Sequence, residues 1–177
     1  MLPDNDSDVK IYGKANKDTK AASAEMSGKG ITSAQRAAAK KVGIVVAEQF
    51  LKDAKNSDFG ENSDYSLIIQ RRLLLSFSAT AGFEQYIGDD ALVGIAQKSF
   101  LDTIKRASDD IYKTSSDMGA FSFYYLAFRR GSDIERRMGQ TFAMLCSHDG
   151  DPIFQELGEA LYCWFTSVVR KAVKEYI

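Results

Sequence analysis

The chain contains one histidine, His148, within Ser147-His148-Asp149-Gly150-Asp151-Pro152, a segment with the composition of a turn. Histidine is the commonest metal ligand and the side chain that most readily titrates near neutral pH. A single imidazole on a turn therefore removes most metal-dependent and acid–base mechanisms. A carboxylate-bridged di-iron bundle needs a pair of Glu-x-x-His motifs. Here the residue three before His148 is Leu145, and there is no second histidine. A zinc-protease helix is excluded likewise. Asp149 and Asp151 supply too few oxygens at the wrong spacing for a calcium loop, and they read instead as a turn residue and a helix N-cap. The sequence predicts no metal site, no cofactor and no recognisable catalytic constellation.

The remaining side chains with chemical potential are arginines, one glutamate and two cysteines. Arginine pairs occur at Arg71-Arg72, Arg129-Arg130 and Arg136-Arg137. Each could grip a phosphate or carboxylate with two hydrogen bonds. Arg129 and Arg130 fall in a helix's last turn, where cations are favoured, and Arg136 and Arg137 follow Asp133 and Glu135. Arg71 and Arg72 interrupt an apolar helix, so they are the candidate anion site, against snorkelling or a structural ion pair. Glu84, between Phe83 and Gln85, is a candidate buried carboxylate with a raised pKa. An enzyme would have to be built from Arg71, Arg72 and Glu84. Ser76 and Thr80, on the same helix, would line a ligand cavity with Phe77 and residues 121–128. Cys146 and Cys163 flank the turn at offsets of about two helical turns, too far for a disulfide.

The most unusual segment is Phe121-Ser122-Phe123-Tyr124-Tyr125-Leu126-Ala127-Phe128. On a helix, Phe121 and Tyr125 share one face, Tyr124 and Phe128 the next, and Phe123 a third. One neighbour cannot cover all of them. Either this helix is central and buried, or one of its faces is a subunit interface or a pocket wall. The candidate interface is Phe121, Tyr124, Tyr125 and Phe128, together with a second apolar strip on the last helix, Val169, Val173 and Tyr176.

These residues must be positioned by helices. A first helix starts near Thr32 or Ser33 and runs to about Lys55. Asn56-Ser57-Asp58-Phe59-Gly60-Glu61-Asn62 reads as a loop. A second helix opens at Ser63 or Asp64 and ends at Ile87-Gly88. Its apolar residues cover nearly the whole circumference, which predicts a central, buried helix. A third follows Asp89 or Asp90 with one stripe of Val93, Ala96, Phe100, Ile104, Ala107 and Ile111. Asp102–Arg106, Lys105–Asp109 and Arg106–Asp110 on its other face are opposite charges four apart, as on a solvated surface. Ser115-Ser116-Asp117 can cap a short fourth helix over residues 118–130, which Gly131 stops. Ser132-Asp133-Ile134-Glu135 reads as a capping box for a fifth helix, ending near Ser147. Asp151 with Pro152 opens a sixth.

The expected fold is all-α: about six helices in a single bundle-like domain over residues 31–177, preceded by a flexible or docking arm over residues 1–30. Hydrophobic residues are 45% and charged residues 27%, which fits a globular chain. With 23 basic and 24 acidic residues, net charge −1, there is no electrostatic footprint for nucleic acid. No apolar run is long enough for a membrane span, and residues 1–20 lack the pattern of a signal peptide. The expectation is a cytoplasmic, non-enzymatic helical protein acting by self-association, as a homodimer, or through a protein partner. The alternative is a regulator or sensor binding a small apolar or anionic ligand.

Overall fold

The structure is a computed structural model in which residues 30–56 and 65–177 are described. The chain divides into two units, residues Met1–Ile31 and Thr32–Ile177. The arm over residues 1–30 and the loop after Asn56 lie outside the described residues, apart from Gly30. The second unit is all-α, and among the described residues there are seven helices and no strand. They are α1 (Ser33–Asn56), α2 (Tyr65–Ile87), α3 (Asp90–Ala107), α4 (Asp109–Ser115), α5 (Met118–Arg129), α6 (Ile134–Leu145) and α7 (Pro152–Tyr176).

Local side-chain chemistry starts most of these helices. Thr32 Oγ1 accepts from the Gln35 amide at 3.1 Å, and Gln35 Oε1 accepts from the Thr32 amide at 2.9 Å, a reciprocal capping box for α1. Asp89, Asp117 and Asp151 cap α3, α5 and α7 through their carboxylates. Such caps are worth about 1 kcal/mol each. Gly88 and Gly131, at φ +73° and +86°, stop α2 and α5 in the left-handed region that glycine adopts without strain.

Two expectations about boundaries are corrected. The stripe running on to Ile111 does not belong to one helix. Ser108 is extended, at φ −162°, and its hydroxyl accepts from the Ile111 amide, so it ends α3 and caps α4. That break makes seven helices out of six, and it removes the helical spacing of Lys105–Asp109 and Arg106–Asp110. Asp109 pairs instead with Lys113 at 2.7 Å. Likewise, Ser132 forms no capping box. The N-cap of α6 is Asp133, left-handed at φ +51° and without a side-chain cap bond. Ser132 Oγ accepts from Arg137 Nη2 at 3.2 Å.

α6 ends two residues earlier than expected, in a Schellman turn. The His148 amide donates to the Ala143 carbonyl and the Ser147 amide to that of Met144. Ser147 takes the left-handed position, at φ +61°. His148 stacks flat on Phe154, centroids 3.7 Å apart, with its Nδ1 3.9 Å from Asp151 Oδ2. The single imidazole thus braces the α6–α7 turn.

α2 is central and packs against all six other helices. Rings of Phe50 (α1), Phe83 (α2), Phe100 (α3) and Phe165 (α7) meet edge to face at 5.7 to 6.3 Å, giving one aromatic core. Where a side chain would keep backbones apart, glycine stands instead. A Cβ on Gly43 of α1 would lie 2.2 Å from the Ala96 carbonyl oxygen of α3, and one on Gly139 of α6 2.2 Å from that of Gln155 in α7. Gly158 of α7 faces Phe142 of α6 in the same way. Cys146 is buried and Cys163 exposed.

Candidate functional site

The residues singled out on α2 do not converge. Arg71 donates from Nε and Nη2 to the two carboxylate oxygens of Asp53 on α1, at 3.0 and 2.7 Å. Of the three readings open to it, Arg71 takes the structural ion pair. Arg72 is buried and turns elsewhere, with Nη1 3.2 Å from Thr114 Oγ1 and 3.8 Å from Asp110 Oδ2. Its Nε is buried with no hydrogen-bond partner, as is the Ser76 hydroxyl. Glu84 is exposed, which corrects its reading as a buried carboxylate: it lies with Gln85 on the outward side of the last turn of α2, while Phe83 and Ile87 face the core. Twelve residues of helix separate it from Arg72, a rise of about 18 Å. Arg71, Arg72 and Glu84 therefore cannot address one substrate atom together. Thr80 is half-buried and its hydroxyl bonds back to the Ser76 carbonyl at 3.3 Å.

The aromatic helix α5 resolves into two sides. Tyr124 is fully buried and stacks on Phe77 of α2, centroids 5.5 Å apart. Phe121 and Phe128, half-buried, meet the same Phe77 ring edge to face at 5.7 and 6.2 Å. Burial with no partner holds the Tyr124 phenol well above its ordinary pKa of 10.0. Tyr124 is thus core, not interface. The strip on α7 is corrected in the same way. Val169 and Val173 are buried within the chain, and Val169 fills the space beside Gly82 of α2 where a Cβ would stand. Tyr176 is half-buried, with Lys41 Nζ 6.0 Å from its ring centroid.

The other side of α5 faces outward and is apolar. Met118 is 75% exposed, Leu126 60%, Phe123 49% and Tyr125 39%. Leu126 forms a ridge between two hollows. One, of about 500 Å³, lies between α2 and α5 and is lined by Phe77, Thr80, Met118, Phe121, Ser122, Tyr125 and Leu126. The other, of about 360 Å³, lies between α5 and α6 and is lined by Phe123, Leu126, Ala127, Met144, Arg130, Arg137, Gln140 and Thr141. The first is almost wholly apolar and the second has a cationic rim. Both are open to the surface. Asp117, the exposed N-cap of α5, accepts both of its cap bonds on Oδ1. Arg129 stands at the C-terminal end of this face, its guanidinium 4.6 Å from the Tyr125 centroid and Nη2 2.9 Å from the Tyr125 hydroxyl.

Sequence reasoning set Phe77, Thr80 and residues 121–128 around a cavity and chose Tyr125 for an interface, but it named neither Met118 nor Met144 and gave Phe123 and Leu126 no role of their own. The signal was present: Met118, Ser122 and Leu126 recur every four residues, opposite Tyr124 and Ala127. A third hollow, of about 540 Å³, lies between α1 and α3. Its lining of Lys40, Asp102, Lys105 and Arg106 is long, solvated side chains that meet no apolar floor beyond Ile44. Among the described residues no cluster of three or more histidine, cysteine or acidic side chains could hold a metal ion. No described helix is long and apolar enough to cross a membrane. No protein family, curated protein or solved structure matches this chain.

Proposed function

We propose that this protein is a non-enzymatic helical module that works by protein–protein contact, with the outer face of α5 and the adjoining edge of α6 as its docking surface. The observation that carries the reading is Leu126, a 60% exposed ridge between two open hollows with Met118, Phe123, Tyr125 and Met144 exposed around it. Scattered exposed apolar side chains are ordinary, whereas a contiguous group of large ones with a polar rim is the mark of an interaction site. Aromatic residues, methionine and arginine are the types enriched in such sites. The test is a photo-reactive residue at position 126 of the full chain, in the cells that make it. The reading expects a discrete adduct that is absent with the same residue at exposed Lys174 and is lost on Phe123→Glu. Labelling at position 126 no greater than at Lys174 would refute it.

A second reading has its own observation. The hollow between α2 and α5 has the size and lining of a small-molecule pocket, about 500 Å³ with mainly aromatic and apolar walls. A regulator that binds a small apolar ligand would use it. Native mass spectrometry separates the two, because a retained small molecule lost on Ser122→Trp favours the pocket.

A further inference from the structure

We infer that the partner seated on the α5 face is an acidic segment of another protein, which sets an apolar side chain in the hollow between α5 and α6 and a carboxylate against Arg130 and Arg137. The inference rests on the docking reading above and adds the partner's chemistry. The hollow is polarised along its length. Arg130, the C-cap of α5, and Arg137, one turn into α6, lie beside the short connection that joins the two helices. Phe123 on α5 and Met144 on α6 each lie seven residues further from that connection, a rise of about 10 Å. One end is therefore cationic and the other apolar.

These charges are unanswered among the described residues. No acid lines the hollow there, and neither arginine is in a salt bridge. Asp133, four residues before Arg137, does not pair with it. Glu135 is turned to α7, where its charge is second only to burial in raising the pKa of Tyr162 and Cys163. Arg137 makes one bond, to Ser132 Oγ, and its Nη1 is buried with no acceptor. A partner that covers Leu126 also takes water from Arg130 and Arg137. A neutral or basic segment would leave two unpaired cations under cover, which is costly. A carboxylate removes that cost, since a guanidinium grips it with two parallel bonds. The recesses on both sides of the Leu126 ridge are concave and receive side chains, whereas a bilayer is met by protruding ones. The partner's apolar anchor and its acid should lie within about 10 Å of each other, up to about seven residues apart in a helix or three in an extended strand.

The test identifies the segment joined to the photo-reactive residue at position 126, by tandem mass spectrometry of the adduct that the full chain forms in the cells that make it. The expected segment has an aspartate or glutamate at that spacing from an apolar residue. A synthetic peptide of the captured sequence should bind the purified full chain in fluorescence anisotropy, and about tenfold more weakly when its acids are replaced by amides. The same loss is expected of the double variant Arg130→Gln, Arg137→Gln, and part of it of Arg130→Gln alone, whose side chain is exposed. Arg36→Gln with Arg170→Gln removes as much charge from exposed sites elsewhere and should leave binding unchanged. A segment without such an acid, a peptide indifferent to neutralisation, or arginine variants that bind normally would overturn the inference. So would a second copy of this chain in the adduct or, with no protein adduct, co-sedimentation with phosphatidylserine vesicles. An adduct that depends on Phe123 but not on the arginines leaves the docking reading standing and excludes only the acidic partner. If labelling at position 126 is no greater than at Lys174, both fail.

Discussion

The ring of Tyr124 lies on that of Phe77 at an interplanar angle of 30°, and the Tyr124 hydroxyl, sealed from water, has nothing to bond to. An unpaired buried hydroxyl costs roughly 1–3 kcal/mol of desolvation. Tyr124→Phe removes the hydroxyl and keeps the ring. The expected outcome is a gain of about 1 kcal/mol, seen as a higher urea midpoint at unchanged slope.

The same phenol makes the fold sensitive to alkali. Its folded pKa is raised by burial above the ordinary 10.0, and Tyr162 is raised in the same direction, chiefly by burial. The unfolded chain releases these protons first as pH rises. The stability that these two phenols contribute is therefore intact below pH 10 and falls above it, by up to about 1.4 kcal/mol per pH unit for each group. Urea midpoints measured from pH 8 to 11.5 should decline above pH 10, and less steeply in Tyr124→Phe. An identical decline in the variant would show that Tyr124 does not contribute.

Gly139 and Gly94 should respond oppositely to the same substitution. At Gly139 a methyl would lie 2.2 Å from the Gln155 carbonyl oxygen, a backbone atom that can yield only if α6 and α7 separate. At Gly94, in the exposed face of α3, a methyl meets nothing within 4 Å. Gly139→Ala should cost about 2 kcal/mol or more. Gly94→Ala should stabilise by about 0.5–1 kcal/mol, because the unfolded chain loses freedom. Thermal melting of the two variants decides it.

Ser147 and Asp133 bracket α6 in left-handed conformations that side chains rarely adopt. Ser147 occupies the position where a Schellman turn most often has glycine. Ser147→Gly should raise stability by about 1 kcal/mol, and Asp133→Gly by a similar amount since its side chain makes no cap bond. A loss of stability in Asp133→Gly would show that the carboxylate has a role besides capping.

The Arg71–Asp53 pair joins α2 to α1 with two hydrogen bonds and is largely withdrawn from solvent. Removing either partner should cost more than removing both, because a half-pair leaves a partly buried charge. A double-mutant cycle of Arg71→Ala and Asp53→Ala should give a coupling on the order of 1–2 kcal/mol that shrinks little in salt. Coupling near zero would reduce the pair to a surface contact.

Most of the helices were legible because their starts are local. Thr32, Asp89, Asp117 and Asp151 each satisfy amides two or three residues ahead, so the signal sits within one turn of sequence. The break at Ser108 was not legible, since Ile104, Ala107 and Ile111 keep helical spacing across it. Nor was the failed capping box at Ser132, which lies between two left-handed residues, Gly131 and Asp133. The inward side of α5 was undecidable from rings that point every way. It is chosen by Phe77, which is remote in sequence. Val169 looked like a spare strip for the same reason, because only Gly82 on another helix shows the gap it fills.

Three rings of α5 rest on the single ring of Phe77. The helix is short, and it packs on α2 and α6. Its attachment to the central helix is therefore concentrated at one side chain. The bundle of α1, α2, α3 and α7 has its own aromatic centre and does not depend on that ring. α5 can open as a cooperative unit while the bundle remains closed. Its amides should then exchange with solvent deuterium together, sooner than those of α2, and Phe77→Ala should bring that opening within reach of everyday thermal fluctuation.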